Sequence, residues 1–297
     1  MLHMDRVQHI PVLLEEVQHW LRPRASGVYV DGTLGHGGHT EMMLEDSAPD
    51  GRVVGIELDA RNMEIAKKRL QSFGDRVLYV HGSYADLEKH LKDNNVGKVD
   101  GILLDVGFSS SHVDDPARGF SFMNEGPLDM RYDSDQGLTA EEVVNSWPEA
   151  KLAETFLIYG EERRAQYIAK IIVKRRRKKR FRTTTDLSET IAEAIGRHGK
   201  LHPATRVFQA LRIVVNNELG SLEAVLPQAV EALKEDGRLC VISFHSLEDR
   251  IVKRFFRGSN KLEALTKKPV VPTEEEQSKN PRARSAKMRV ATKSGSA

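Results

Sequence analysis

The residues best suited to chemistry begin at Asp31. It heads the stretch Asp31-Gly32-Thr33-Leu34-Gly35-His36-Gly37-Gly38-His39-Thr40, which follows the β-rich run Gly27 to Val30 and precedes an amphipathic segment, Glu41 to Leu44. Glycines at 35, 37 and 38 allow positive φ and a close backbone approach to a ligand. The free N–H groups at the start of the next helix then face that ligand. Arg52 to Glu57 reads as a second strand ending in a carboxylate, 19 positions after Gly38. That is close to the spacing that sets an acid on a ribose hydroxyl. Strand, glycine loop, helix, strand and acid together predict a nucleoside cofactor. A merely tight strand-to-helix turn is the competing reading.

The dinucleotide fingerprint asks for a third small residue where this chain has Thr40, and no Lys-Ser/Thr follows the glycines as in a triphosphate loop. Asp31 at the end of the first strand instead fits S-adenosylmethionine enzymes, in which an acid and then glycines cradle the methionine half. The other elements must bring further groups to the same place. Ala60 to Phe73 reads as a helix, Arg76 to Val80 as a strand, Tyr84 to Leu91 as a helix and Val99 to Asp105 as a fourth, mostly apolar strand. Such alternation predicts a doubly wound parallel sheet, with ligands at the carboxyl ends of its strands. Asp31, Glu57, the His81-Gly82-Ser83-Tyr84 turn and Asp105 all fall at such ends. Tyr84 could flank an adenine ring or simply pack on the sheet.

From about His112 to Pro203 the alternation stops. Helical periodicity covers Ala140–Asn145, Glu149–Tyr159, Arg163–Lys179 and Thr185–Ile195, an expected helical insertion between two strands. Two domains are therefore expected: residues 1–111 with 204–297, and residues 112–203. A loop-like stretch with Arg118, Phe120 and Arg131 opens the insertion, and its aromatics and arginines suit base stacking and phosphate contact; core plugs under a loop are the alternative. Helices are expected over Val207–Leu219 and Ser221–Leu233, then a strand over Gly237–Ser243 ending at His245, and a last strand near Ala286–Ala291. His245 at that edge is a candidate for catalysis or for a structural role.

With 297 residues, 39% apolar and 30% charged, the chain has material for a real core. The net charge of +2 says little, but its distribution says more. From Arg163 to Arg182 there are eleven Lys or Arg and no acid, and six more follow Glu276. These blocks, with Arg175, Arg176 and Arg177 in the first and Arg282 and Arg284 in the second, suit a polyanion or a solvated face. Cys240 is the only cysteine, which excludes an intrachain disulfide and a multi-cysteine zinc site. No metal is expected. No signal-peptide core and no span of about 18 apolar residues is found, so a cytoplasmic protein without membrane association is expected.

Seven blocks carry a close resemblance: Asp31 to His39, Leu103-Leu104-Asp105-Val106-Gly107, Arg118 to Phe122, Gly126 to Arg131, His202 to Arg206, Ser243 to Arg250 and Asn280 to Ser285. From His9 to about Val290 the chain resembles the bacterial small-subunit ribosomal RNA cytosine-N4 methyltransferases. The resemblance implies an α/β, class I S-adenosylmethionine methyltransferase fold, Rossmann-like with a mostly parallel sheet, carrying an inserted helical substrate-recognition domain. It implies methyl transfer to N4 of a cytosine in the decoding region of 16S rRNA, with the RNA within the small ribosomal subunit. A homodimer is compatible with it. By position, cofactor contacts would be Gly37, Gly38, His39, Glu57, Tyr84, Asp105 and His112. The family commonly has Asp at 57, Phe at 84, Gln at 112, Val at 108 and Pro at 111, where this chain has Glu57, Tyr84, His112, Phe108 and Ser111.

The expected chemistry is an in-line displacement, in which orientation supplies most of the barrier reduction. Cytosine's amino lone pair is delocalised into the ring, so Asp105, or a backbone carbonyl after it, is the candidate acceptor for the N–H hydrogens. Methylation at ring carbon 5 would use a cysteine adduct, and Cys240 sits mid-strand where a buried thiol is inert. The target base must be single-stranded or flipped out. A nicotinamide-dependent dehydrogenase and an RNA-binding module with a vestigial pocket are the competing functions.

Overall fold

In the run Val99 to Asp105, successive side chains point to opposite faces. Ile102 and Leu104 belong to one buried cluster and Leu103 to another. A segment buried on both sides needs a helical layer above and below it. The computed structural model supplies both layers; it describes residues 10–107, 110–134, 137–196 and 202–295, with backbone alone at 110 and 111. His9, Phe108 and the side chain of Ser111 therefore lie outside the described residues. The chain forms two compact units, residues 1–107 with 220–297, and residues 108–219.

The first unit is built on strands β1 (Val28–Asp31), β2 (Arg52–Glu57), β3 (Val77–His81), β4 (Val99–Asp105), β5 (Leu233–Ser243), β6 (Leu262–Ala264) and β7 (Lys287–Lys293). They pair in the order β3-β2-β1-β4-β5-β7-β6. β1 to β5 are parallel, and β7 runs antiparallel between β5 and β6. β5 starts earlier than its apolar run suggests because Leu233 pairs with Val99 across a register shift. Helices α1 (Leu14–Leu21), α2 (Gly38–Asp46) and α3 (Ala60–Arg69) lay Val17, Leu21, Met43 and Ala66 on the face that holds Tyr29 and Leu103. On the opposite face Leu87 and Leu91 of α4 (Leu87–Asp93) meet Val30, Ile102 and Leu104. The helix expected over Ala60–Phe73 stops at Arg69, where a 3-10 turn takes over with Gly74 at φ +55°. Tyr84 likewise opens a short 3-10 turn rather than α4 itself.

The second unit contains α5 (Ser110–Asp114), α6 (Ala140–Ser146), α7 (Glu149–Ile158), α8 (Ala165–Arg176), α9 (Thr184–Ile195) and α10 (Thr205–Val215). Thr139 and Glu142 close a capping box on α6. Thr183 caps α9: its hydroxyl accepts from the N–H of Asp186. Val207, Phe208, Ala210 and Leu211 of α10 join the helical core formed by Val143, Leu152, Phe156, Ile168, Ile172 and Leu187. The helical unit runs on to residue 219, past the boundary expected at 203/204, with α10 burying its apolar stripe among the helices.

The chain then forms α11 (Glu218–Ala232), α12 (Ser246–Gly258) and α13 (Glu274–Lys279). Leu222, Val225 and Leu226 of α11 and Val252 and Phe256 of α12 complete the sheet face under α4. Among the described residues no helix is long and apolar enough to cross a membrane.

Gly119 sits at φ +73°, and a Cβ there would lie 2.0 Å from the carbonyl oxygen of Pro127. A side chain would add left-handed strain to that clash. Gly119→Ala is expected to cost about 2 kcal/mol or more and to lower the melting temperature by roughly 4–8 °C in a thermal denaturation series.

Candidate active site

β1 delivers Asp31 to the sheet edge with 1% of its surface exposed. Its Oδ1 accepts from the Thr33 N–H at 3.2 Å and its Oδ2 from the Thr40 hydroxyl at 2.8 Å. Burial pushes this carboxyl above its ordinary range, while the nearby His39 ring and the two donors oppose the shift. Gly37, at φ +80°, turns the chain into α2 in a left-handed conformation open to glycine. No side chain caps α2, so its first N–H groups are available to an anionic ligand group.

Between β1 and β4 the strand order reverses, the position where ligands enter open α/β sheets. The two strand ends are stapled there: the Gly32 N–H donates to the Leu103 carbonyl at 2.9 Å, and the Asp105 N–H donates to Thr33 Oγ1 at 2.7 Å. Asp105 Oδ2 lies 3.8 Å from His39 Nε2. Asp105 Oδ1 and both ring nitrogens of His39 are buried without a hydrogen-bond partner. Leaving three such atoms unpartnered is costly, and it marks them as groups shaped for a ligand.

One strand further along, Glu57 Oε2 accepts from the Gly35 N–H and Oε1 from the Asp59 N–H, both at 2.8 Å. The residue keeps some exposure, yet its carboxylate is enclosed by protein. Burial raises its pKa from 4.5 to about 7, with the backbone donors of Asp59 and Gly35 pulling it down and the charges of Asp59 and Asp31 adding to the rise. Tyr84 follows β3, on a turn capped by Ser83, with its Cβ 3.5 Å from where a Cβ on Gly32 would stand.

These groups fit S-adenosylmethionine: the N–H groups of Gly38 and His39 and the His39 ring for the carboxylate, Asp105 for the ammonium, Glu57 for the ribose diol and Tyr84 beside the base. The structure thus brings Gly37, Gly38, His39, Glu57, Tyr84 and Asp105 to one edge of the first unit. Sequence reading missed Thr33 and Thr40, whose hydroxyls bind Asp105 and Asp31; only their positions inside the glycine stretch hinted at a role.

His112 belongs to the second unit, where its buried ring packs 5.0 Å from Phe120 and 5.0 Å from Tyr132. Phe120 is itself buried and stacked on Tyr132. Arg118, also buried, donates to the carbonyls of Arg131 and Tyr132, and Arg131 forks onto Asp129 at 2.7 and 2.8 Å. Arg118, Phe120 and Arg131 therefore build the loop's interior, the core-plug alternative. Arg175 pairs with Asp186 and lies over Phe181; Arg176 donates to the carbonyls of Val144 and Trp147, and burial lowers its pKa. Arg177, Arg282 and Arg284 are exposed.

His245 caps α12: its Nδ1 accepts from the Glu248 N–H at 3.4 Å, and Glu248 Oε2 accepts from the N–H groups of Phe244 and His245. Nδ1 thus has a structural role at the helix start, while Nε2 lies buried 3.1 Å from Glu248 Oε1. Cys240 is fully buried and its thiol is pushed up to about 12, so it holds no thiolate near neutrality.

A family model described as the MraW methylase family matches residues 6–294. A protein of Sorangium cellulosum named ribosomal RNA small subunit methyltransferase H is 50% identical over 292 residues, covering 98% of this chain and 92% of that protein. A protein of the same name from Trichormus variabilis is 49% identical, covering 96% and 92%. Another, from Carboxydothermus hydrogenoformans, is 48% identical, covering 96% and 97%.

If Glu57 accepts from the cofactor's diol, as the resemblance implies, its protonation removes that acceptor. With a pKa of about 7, cofactor affinity is expected to be about tenfold weaker at pH 6 than at pH 8. Folding stability has the opposite slope: between 4.5 and about 7 the folded chain holds the extra proton, so stability falls as pH rises through that window. Glu57→Gln should bind S-adenosylmethionine roughly 10–100-fold more weakly at pH 8 and lose the pH dependence in calorimetric titration. A dependence that persists in the variant would overturn the assignment to Glu57.

Proposed function

The chain belongs to the MraW methylase family, and from that premise we propose that it transfers the methyl group of S-adenosylmethionine to the exocyclic N4 of a cytosine in the decoding region of 16S rRNA. The observation that carries this reading is the shared name of relatives about half identical over nearly the whole chain. Small-subunit RNA in the cytoplasm, within the assembling or assembled subunit, is the proposed substrate. The switch-point geometry supports the chemistry. When bound, S-adenosylmethionine supplies an electrophilic methyl group on a sulfonium.

The chain's own residues have two tasks. Glu57, His39 and the start of α2 hold the cofactor so that displacement occurs in line. Asp105, whose N–H is fixed by Thr33, offers a carboxylate at the same edge. We assign it the amino hydrogens of cytosine as N4 attacks, in addition to its contact with the cofactor. Cys240 is a buried neutral thiol, which supports nitrogen chemistry that requires no covalent adduct. Arg177, Arg282 and Arg284 are the exposed arginines among the proposed RNA contacts.

Labelled S-adenosylmethionine with 30S subunits, naked 16S rRNA and DNA as acceptors tests the reading. Label in N4-methylcytidine of ribosomal RNA is expected; label in another nucleoside, or none with tight cofactor binding, would overturn it. Asp105→Ala should lower turnover by about 10²–10⁴-fold. Cys240→Ala should leave it within about threefold of wild type, since a buried neutral thiol contributes packing alone.

A further inference from the structure

Helix α8 sorts its residues by face. Ala165, Ile168, Ala169, Ile172 and Val173 are buried. Tyr167, Lys170, Lys174 and Arg177 follow one another at spacings of three and four on the exposed side, with Arg163 one turn before them. Arg175 and Arg176 are committed to Asp186 and to the carbonyls of Val144 and Trp147. By contrast, Arg163, Lys170, Lys174 and Arg177 make no ion pair among the described residues. Glu189 and Glu193 are the exposed acids of the neighbouring α9, and neither comes within ion-pair distance of these cations. The outward face of this helix carries these cations and no acid of its own.

At its start the stripe runs into a cleft of about 410 Å³ lined by Arg163, Arg164, Gln166, Tyr167, Ala194 and Ile195. It is an open cleft on the surface rather than an enclosed cavity. The Arg164 guanidinium donates to the Ile195 carbonyl at 2.7 Å, which anchors one wall. Tyr167 is 49% exposed, an unusual position for a large ring. Its face, two guanidinium groups and a Gln amide are the chemistry that receives a nucleobase and its phosphate.

We propose that this cleft is an accessory nucleotide site, in which Tyr167 stacks an unpaired base while Arg163 and Arg164 hold its phosphate and Lys170, Lys174 and Arg177 track the adjoining backbone of a single RNA strand. The occupant rests on the proposed RNA substrate; the site lies wholly in the helical unit and takes a nucleotide other than the one methylated. It reads no sequence beyond the presence of an unpaired base, because every base offers a face to an aromatic ring.

Titration of the full-length protein with fluorescent single-stranded RNA 20-mers and with naked 16S rRNA, at several salt concentrations, tests the site. Lys170→Ala/Lys174→Ala/Arg177→Ala should reduce the slope of log K against log salt by about 2, near 0.7 for each phosphate that is no longer neutralised. Tyr167→Ala should weaken binding roughly 5–150-fold with the salt slope unchanged, whereas Tyr167→Phe, which keeps the ring, should bind as wild type. Methylation assays should show raised KM for RNA with kcat retained, and all three variants should keep the wild-type melting temperature and cofactor affinity. Wild-type RNA affinity and slope in both the triple variant and Tyr167→Ala would overturn the proposal. Equal losses in Tyr167→Ala and Tyr167→Phe would overturn stacking. If wild type methylates no RNA, the functional reading fails; if it methylates and the variants match it in binding, only the accessory site fails.

Discussion

A carboxylate taken out of water must be met by donors, and Asp31 is met by two that belong to the glycine stretch, the Thr33 N–H and the Thr40 hydroxyl. The first fixes the exit from β1 and the second fixes the first turn of α2. Thr33 in turn accepts from the Asp105 backbone, so the ends of β1 and β4 and the start of α2 form one hydrogen-bonded object. Removing the Thr40 hydroxyl would leave the buried Asp31 carboxyl short of a donor, a loss on the order of 1–3 kcal/mol. Such a site is held in shape before any ligand arrives.

The helical unit uses burial of charge differently. Glu218 accepts from Arg212 at 2.7 and 2.9 Å and from the Tyr132 hydroxyl at 2.8 Å. Tyr132 also stacks with His112 and Phe120, so one network draws the long loop before α6 down onto α10. Polar satisfaction of a buried pair and ring packing act together here, and they bury Phe120 and His112. Positive charge is consequently left to helix faces and to the short turn near Arg282 and Arg284.

Local patterns were legible where local physics decides. β2 and β4 occupy the residues their apolar runs outline, and the helices of the insertion follow their 3.6-residue period to within a few positions. β6, three residues long, was invisible because it exists only through pairing with β7. The family resemblance named seven candidate cofactor residues, and six of them lie at one edge of the first unit. Loop and helix arginines were not legible. Arg175, Arg176 and Arg177 are alike in sequence, but Asp186, Val144 and Trp147 lie too far along the chain for spacing to show which of the three turns inward.

The place of β7 sets the order in which this molecule can be made. It lies between β5 and β6, not at the rim, and is translated after both. Until residues 287–293 have left the ribosome, β5 presents an open row of hydrogen-bonding groups and β6 has no strand to join. The nascent chain can assemble the parallel half of its sheet during synthesis, but the sheet closes only as the last strand slots in. During that interval the exposed β5 edge is the point most open to pairing with another chain, and the protein's need for chaperone protection should be concentrated there.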